Sequence, residues 1–270
     1  MQRYREPMLS IADNQLLTRV GHGTAMGATL RHYWVPFLLS TELPATQAPP
    51  LNIRLLGEEL TAFRIRDGTV GLVQTHCAHR GAPLFYGRPE AEGIRCAYHG
   101  WMYDETGQCI EQPFEETVHP DGRFKEKVRV AGYPVQEVGG LLFAYLGPLP
   151  APALPMWEQL TYDNAVRDIA ISILPCNWLQ CQENSLDPVH VQWMHAYYGR
   201  YLEQGPGFKG NLLSIQEHEK IGFTEFEHGI IKRRVFKGYT EDDDDWKEGH
   251  PVLFPNILLV GSEVAVTLQF

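Results

Sequence analysis

The sequence predicts an α+β protein in which an all-β module precedes a module of helices and antiparallel strands. Short runs of β-branched and aromatic residues, separated by turn residues, fill residues 44–146. Four prolines then fall within Gly147–Pro155, a density typical of a stiff linker between domains. Beyond them, helical and strand patterns are mixed. We therefore expect a helical segment and lead-in strand over residues 1–43, a β domain over 44–147, a linker over 148–155 and a second domain over 156–270.

Composition narrows the class of protein. The 270 residues carry a net charge of −10, which argues against nucleic acid as a partner, because binding phosphates needs an excess of Lys and Arg. No run of about eighteen apolar residues predicts a membrane span. Residues 1–7 lead into no apolar stretch, so we expect no secretory signal. The five cysteines are too few and odd in number for a disulfide framework, which favours a reducing cytoplasm.

The first half of the chain reads as helical pieces followed by strands. Residues 10–31 predict short helices, with Asp13 or Asn14 as a cap and Gly21, Gly23 and Gly27 as breaks. Tyr33–Leu39 predicts the lead-in strand, and Asp67-Gly68 a hairpin turn. The predicted strands of the β domain are Ile53–Leu56, Leu60–Arg66, Val70–Gln74, Trp101–Tyr103, Val128–Val135 and Leu141–Tyr145, the last two paired across Gly139-Gly140.

The second half begins with a predicted strand and two helical pieces. The strand is Ile169–Leu174, and Pro175 suits the first turn of a helix that runs from Cys176 towards Asn184. A second helical piece covers about residues 188–196. The later strands are Phe223–His228 and Ile230–Val235, a hairpin across Gly229, and then Asn256–Val260 and Val264–Phe270.

Two short Cys/His pairs mark the β domain. Cys77 and His79 form a Cys-x-His pair, and Cys96 and His99 form a Cys-x-x-His pair, with sixteen residues between the two pairs. A Rieske [2Fe–2S] cluster is held in this way, because two His replace two Cys on one iron. Structural zinc also takes two Cys and two His, but its commonest arrangement keeps the two Cys in one pair. The cluster is therefore favoured.

Other nearby side chains do not fit the ligand spacing. His76 is adjacent to the first pair, and we interpret it as a packing or hydrogen-bonding residue. The remaining cysteines have no His or Cys neighbour at ligand spacing and are predicted to be packed thiols, which is the common state of free Cys. They are Cys109, Cys176 and Cys181.

A second set of candidate ligands lies in the second domain. His190, His195 and the nearby Asp187 suggest a 2-His-1-carboxylate site for mononuclear iron. On a regular α-helix, residues i and i+5 point about 140° apart, which converges poorly on one metal. We therefore predict that the helix ends or contains a π-bulge between the two histidines. Two buried histidines without a metal are the alternative, and Asn184 either supports the site or caps a helix.

The motifs Cys-x-His-Arg-Gly and Cys-x-Tyr-His-Gly-Trp resemble the Rieske domain of the aromatic ring-hydroxylating oxygenase α subunits. The opening Leu16-Leu17-Thr18-Arg19-Val20-Gly21 and Arg31-His32-Tyr33-Trp34-Val35-Pro36 are similar to the phthalate dioxygenase-like branch. The resemblance implies a helix-grip-like catalytic domain, of which this chain has the first part. It also implies that Asp187 links His190 to His99 of a neighbouring subunit, and that the carboxylate ligand of the iron lies on a later helix. We therefore expect the third ligand to be absent from this chain.

The resemblance implies the terminal oxygenase of aromatic catabolism. Such a protein takes electrons from an NAD(P)H-dependent reductase, of flavin or ferredoxin type, and passes them through the cluster to Fe(II). With O₂ it hydroxylates or O-demethylates an aromatic compound, as a homo-oligomer of α₃ or α₃α₃ type. The alternatives are a Rieske electron-transfer protein and a catalytically incomplete oxygenase fragment. The acidic run Glu241–Asp245 predicts a solvated loop, with docking of a basic electron donor as the alternative, and Lys232, Arg233, Arg234 and Lys237 offset it.

Overall fold

Two units, Met1–Ile169 and Ala170–Phe270, make up the chain in the computed structural model. The structure describes residues 9–44, 48–205, 216–255, 257–261 and 266–269. Within these ranges, no helix is both long enough and apolar enough to cross a bilayer.

The lead-in segment contains two short capped helices. Helix α1, Ile11–Thr18, begins after Ser10, whose hydroxyl accepts from the Asp13 N–H, so the prediction of Asp13 or Asn14 as the cap is wrong. Helix α2, Ala25–Leu30, is capped in the same way by Thr24. Strand β1, Trp34–Leu39, confirms the predicted lead-in strand.

Three antiparallel sheets form the rest of the first unit. Their remaining strands are β2 Leu51–Leu55, β3 Glu58–Arg64, β4 Val70–Gln74, β5 Arg88–Pro89, β6 Ile94–Arg95, β7 Met102–Tyr103, β8 Cys109–Glu111, β9 Gly132–Tyr133, β10 Val135–Val138 and β11 Leu141–Tyr145. The sheet orders are β1-β11-β10, β2-β3-β4-β9 and β5-β6-β7-β8. Two helices, α3 Pro113–Val118 and α4 Glu158–Thr161, complete this unit.

One predicted strand of this unit is wrong in its bounds. The strand over residues 128–135 is predicted to pair with β11 across the two glycines, but the strand that does so is β10, residues 135–138. Upstream of them, Arg129 forms an isolated bridge with Gln108, and β9 pairs with β4 in a different sheet. The predicted strand 128–135 is therefore divided between two sheets, a change of partner that local propensity does not report.

A buried cluster of side chains underlies the β5-β8 sheet. Its members include the fully buried Phe63, Leu84, Ile94 and Tyr103, together with Cys77 and Cys96. Because the two cysteines are part of this core, the loops that carry them are fixed by packing as well as by hydrogen bonds.

The second unit sets helices beside one antiparallel sheet. The helices are α5 Trp178–Leu186, a π-helix Val191–Tyr198, α6 Gly199–Glu203 and α7 Asp244–Lys247. The sheet is ordered β12-β13-β14-β15-β16, with strands β12 His218–Phe226, β13 Gly229–Phe236, β14 His250–Leu253, β15 Ile257–Gly261 and β16 Val266–Gln269. The predicted hairpin is confirmed, although its turn lies at Glu227-His228 and Gly229 begins β13. The first unit's β domain together with this unit confirms the α+β class.

Three predictions for the second unit are wrong. Residues 169–174 form no strand, and the Ile171, Ile173 and Leu174 side chains are largely exposed. Helix α5 begins at Trp178, two residues later than predicted, after the Asn177 cap. The acidic run is not simply a solvated loop, because it enters α7, where Asp245 accepts from Arg234 at 2.8 Å.

Candidate metal centres

The two Cys/His loops share one backbone design. In each loop the cysteine N–H donates to the carbonyl five residues on, Cys77 to Ala82 at 3.0 Å and Cys96 to Trp101 at 2.8 Å. A glycine four residues after each cysteine donates back to its carbonyl. Gly81 and Gly100 have φ values of 70° and 77°, a region that favours glycine. Two separate turns therefore present their side chains in the same way.

The four predicted side chains come together. Cys77 and Cys96 are each 3% exposed, and the rings of His79 and His99 lie 4.6 Å apart. Trp101 stacks on His79 at 4.6 Å, which holds the imidazole plane. The Nδ1 atom of His79 is buried and has no hydrogen-bond partner among the described residues. A nitrogen in this state fits a metal ligand, because a buried polar atom otherwise needs a partner.

The buried position of Cys77 opposes ionisation of its thiol. Burial is the largest cause that raises the pKa of the Cys77 thiol, and the nearby Cys96 raises it further. The Tyr103 hydroxyl lies 3.2 Å from Cys77 Sγ and opposes this shift. The donor set of two Cys and two His, in two turns of the same form, therefore fits a [2Fe–2S] cluster.

An ion-pair network fixes the second loop from outside. Arg95, the residue before Cys96, donates to the Gly100 carbonyl at 2.8 Å. Its other nitrogens bind both oxygens of Glu90, at 2.8 and 2.9 Å, and also reach Glu111. The Arg95 guanidinium, with a smaller contribution from Arg88, lowers the pKa of Glu90 to about 2. The sequence does not predict this network, because the spacing of Glu90, Arg95 and Glu111 matches no known motif.

The second candidate site confirms the predicted break in helical geometry. Val191–Tyr198 is a π-helix, in which i→i+5 hydrogen bonds place residues five apart one above the other. The rings of His190 and His195 accordingly lie 5.3 Å apart. A regular α-helix would have directed them to different faces.

Asp187 connects to this pair. Its Oδ1 accepts from the Val189 N–H at 2.8 Å, which fixes the carboxylate. The second oxygen, Oδ2, lies 3.5 Å from Nδ1 of His190, a buried atom that forms no hydrogen bond among the described residues. The side chain of Asp187 is 47% exposed, so it also remains accessible from outside.

The second site is incomplete as a metal site in the part of the chain that the structure describes. There, no three His, Cys, Asp or Glu side chains are arranged to hold one metal ion. Glu263, one of the late carboxylates of the sequence, lies outside the described residues. Asn184 faces the same cavity as the two histidines, while the cap of α5 is Asn177.

The cavity beside this pair has a volume of about 610 Å³. Sequence inspection did not identify several of its polar side chains, which come from the sheet rather than from the helix that carries the histidines. Those from the sheet are His218, Lys232, Arg234 and His250. Arg234 is neutralised by Asp245, as the charge pattern predicted, but Lys232 is buried and does not reach the acidic run.

The remaining cysteines differ from one another. Cys109 is buried, as predicted for a packed thiol, but Cys176 is exposed and that prediction is wrong for it. The Sγ atoms of Cys176 and Cys181 lie 3.7 Å apart. They flank the Asn177 cap at the positions where a hydrophobic staple fixes the entry of a helix. This pair therefore supports the start of α5.

Comparison with known proteins agrees with this geometry. Residues 33–134 match the profile of the Rieske [2Fe-2S] domain. The chain is 46% identical over 254 residues to the oxygenase subunit of 5,5'-dehydrodivanillate O-demethylase from Sphingobium sp., covering 94% of this chain and 58% of that protein. It is 36% identical over 192 residues to the oxygenase subunit of phthalate 4,5-dioxygenase from Pseudomonas putida, covering 70% and 43% of the two chains.

The chain thus spans about half the length of these relatives. A solved structure of dicamba monooxygenase with non-heme iron and dicamba resembles this one with a TM-score of 0.55 at 19% identity, covering 89% of this chain and 70% of that one. At that identity the likeness concerns the fold alone.

Proposed function

Because this chain belongs to the α subunits of the Rieske aromatic ring-hydroxylating oxygenases, we propose that it acts as the terminal oxygenase component of such a system. It takes electrons from a reductase and uses O₂ to hydroxylate or O-demethylate an aromatic compound. The five cysteines, all free in the structure, suit a cytoplasmic location.

The observation that carries the proposal is the presence of two distinct metal-binding arrangements. The twin loops hold two Cys and two His, and the π-helix brings His190 and His195 together beside a cavity. A simple electron carrier needs only the first arrangement. The volume of the cavity lies within the range of small-molecule sites, roughly 300–1,000 Å³.

Each side chain has a defined task in this proposal. Cys77 and Cys96 would hold one iron of the cluster, and His79 and His99 would hold the other. When bound, the [2Fe–2S] cluster supplies one electron at a time, and an iron ion at the second site supplies O₂ activation. Trp101 fixes the His79 ring, and Asp187 orients the His190 ring through Nδ1. Both histidines of the second site then present their remaining nitrogens to one ion.

The proposal includes a homo-oligomer of α₃ or α₃α₃ type. Asp187 is half exposed and His99 is exposed, so both are available to a neighbouring copy of the chain. In such an assembly, Asp187 bridges His190 to His99 of the neighbouring copy. The electron source is an NAD(P)H-dependent reductase of flavin or ferredoxin type.

Iron quantitation on protein purified without oxygen tests this function. We expect about three irons and two acid-labile sulfides per chain, since the cluster takes two irons and the second site one. The double variant H190A/H195A should lose one iron and keep the cluster spectrum. The variant C77S should lose the cluster, while H76N, at an exposed residue of the same loop, should lose nothing. About two irons in the unchanged chain would identify a carrier or an incomplete oxygenase, and zinc in place of iron would overturn the whole assignment.

A further inference from the structure

Strand β13 places three side chains on the face of the sheet that lines the cavity. Lys232, Arg234 and Phe236 alternate along the strand, and all three line the cavity with His190 and His195. Alternation on a strand sends residues i and i+2 to one face, so these positions share their surroundings. Lys232 is only 5% exposed, which is rare for a lysine.

No carboxylate of the described residues contacts the charge of Lys232, although Asp187 lies near enough to oppose part of the lowering of its pKa. Its Nζ donates to the Ser185 carbonyl at 2.6 Å, and no salt bridge to a carboxylate is formed. Arg234, two residues on, shows the contrast, because it binds Asp245 at 2.8 Å. Burial, followed by the nearby Arg234, lowers the pKa of Lys232 to about 8. Holding a proton on Lys232 is therefore costly until an anion approaches.

A structural role explains only part of this arrangement. Ser185 lies in the last turn of α5, where cationic side chains often bind free carbonyls. An ammonium has three donors, and the Ser185 carbonyl takes one of them. The same cavity also contains Nε2 of His218, which is buried and has no hydrogen-bond partner among the described residues. Because Nδ1 of His218 is bound to the Gln192 side-chain oxygen, this Nε2 is an acceptor, and the spare donors belong to Lys232. The apolar surface of the cavity comes from Val191, Phe236 and Leu258.

We propose that Lys232 is a specificity-determining residue that binds the carboxylate of an aromatic acid in this cavity. The inference rests on the proposed function, since it takes the cavity beside His190 and His195 as the substrate site. The carboxylate of an aromatic acid supplies the negative charge that does not otherwise contact Lys232. The aromatic ring of the same molecule supplies apolar surface to the cavity. The names of both relatives, dehydrodivanillate O-demethylase and phthalate dioxygenase, denote aromatic acids.

A matched pair of ligands tests the proposal. Binding of 5,5'-dehydrodivanillate and of its neutral dimethyl ester is measured by calorimetry on the full chain, without oxygen and without turnover. The variant K232M keeps the length of the side chain and removes its charge. We expect K232M to weaken binding of the acid about tenfold or more, since a hydrogen bond to a charged group is lost. Binding of the ester should change less than about threefold.

The control is K237M, which removes the charge of an exposed lysine that pairs with Glu217. It should change neither affinity, and K232R should retain part of the preference for the acid. Equal weakening of acid and ester binding in K232M would overturn the proposal. It would show that Lys232 only stabilises the protein, by binding the carbonyl at the end of α5 or a carboxylate of the protein itself. Unchanged affinity for both ligands would also overturn it.

A second measurement tests the proposal even if the K232M chain does not fold, because it uses the unchanged protein. In the unchanged protein, the acid should protect Lys232 from acetylation, read by mass spectrometry, and the ester should not. Equal protection by both ligands, or by neither, contradicts the proposal. Because neither readout needs turnover, a chain without oxygenase activity still tests Lys232. A chain with three irons and activity, but without discrimination between acid and ester, refutes the role of Lys232 alone.

Discussion

Replacing Tyr103 by Phe should shift the redox potential of the cluster without disturbing the core. Tyr103 is fully buried, and its hydroxyl lies 3.2 Å from Cys77 Sγ and 3.1 Å from the Ala78 nitrogen, from which it accepts. Phenylalanine keeps the ring and removes both hydrogen bonds. A donor to a ligand sulfur stabilises the more negative, reduced cluster, so its loss lowers the potential.

The size of the effect follows from the energy of one hydrogen bond. A net value of about 1 kcal/mol corresponds to about 40 mV for one electron. The Ala78 N–H also loses its acceptor, and we expect about 1–2 kcal/mol less stability. The assay is an EPR-monitored redox titration of the purified holoprotein, with thermal unfolding in parallel.

Tyr133 provides the matched control. Its hydroxyl donates to Glu58 at 2.6 Å, in a part of the same unit that carries no cluster ligand. Y133F should lower stability by a similar amount. It should leave the potential within about 10 mV, because the Tyr133 hydroxyl bonds Glu58 and no cluster ligand. On the scale of about 59 mV for a tenfold change with one electron, about 10 mV is a small shift. A potential in Y103F that also stays within this margin would refute the contact between Tyr103 and the cluster sulfur.

Three further predictions concern other contacts. Arg95→Met should cost about 1–3 kcal/mol and release iron at lower urea concentration, because the Gly100 carbonyl loses its donor and Glu90 keeps only Arg88; unchanged iron release would contradict this. Asn177→Ala should cost about 1 kcal/mol of unfolding free energy through loss of the cap of α5, while N164A, at an exposed loop position, serves as the control. Between pH 8 and pH 10.5 the unfolded chain binds more protons at Lys232 than the folded chain, so stability should rise with pH across this window in urea titrations. That rise should be smaller in K232M, and an identical pH profile for both proteins would contradict the lowered pKa.

The parts predicted well are those with local causes. The two turns that carry the candidate ligands follow from short spacings, and each closes within five residues of its cysteine. The π-helix follows from a conflict between the i,i+5 spacing of His190 and His195 and α-helical geometry. Both arguments need only neighbouring residues and the chemistry of a metal.

The parts predicted poorly depend on partners far along the chain. Lys232 binds the carbonyl of Ser185, 47 residues away, so its burial could not be inferred from the basic run around it. Residues 169–174 have strand propensity but no pairing partner among the described residues, and propensity without a partner does not make a strand. Tertiary contacts therefore decided the features that sequence inspection missed.

The central claim is that Cys77, His79, Cys96 and His99 hold one [2Fe–2S] cluster. The most direct measurement is EPR of the reduced protein combined with nitrogen ENDOR. The account predicts one [2Fe–2S] signal per chain with couplings to two histidine nitrogens, and the loss of one of these couplings in a cysteine variant at His79 or His99. A signal without nitrogen coupling, or tightly bound zinc without any signal, would contradict it.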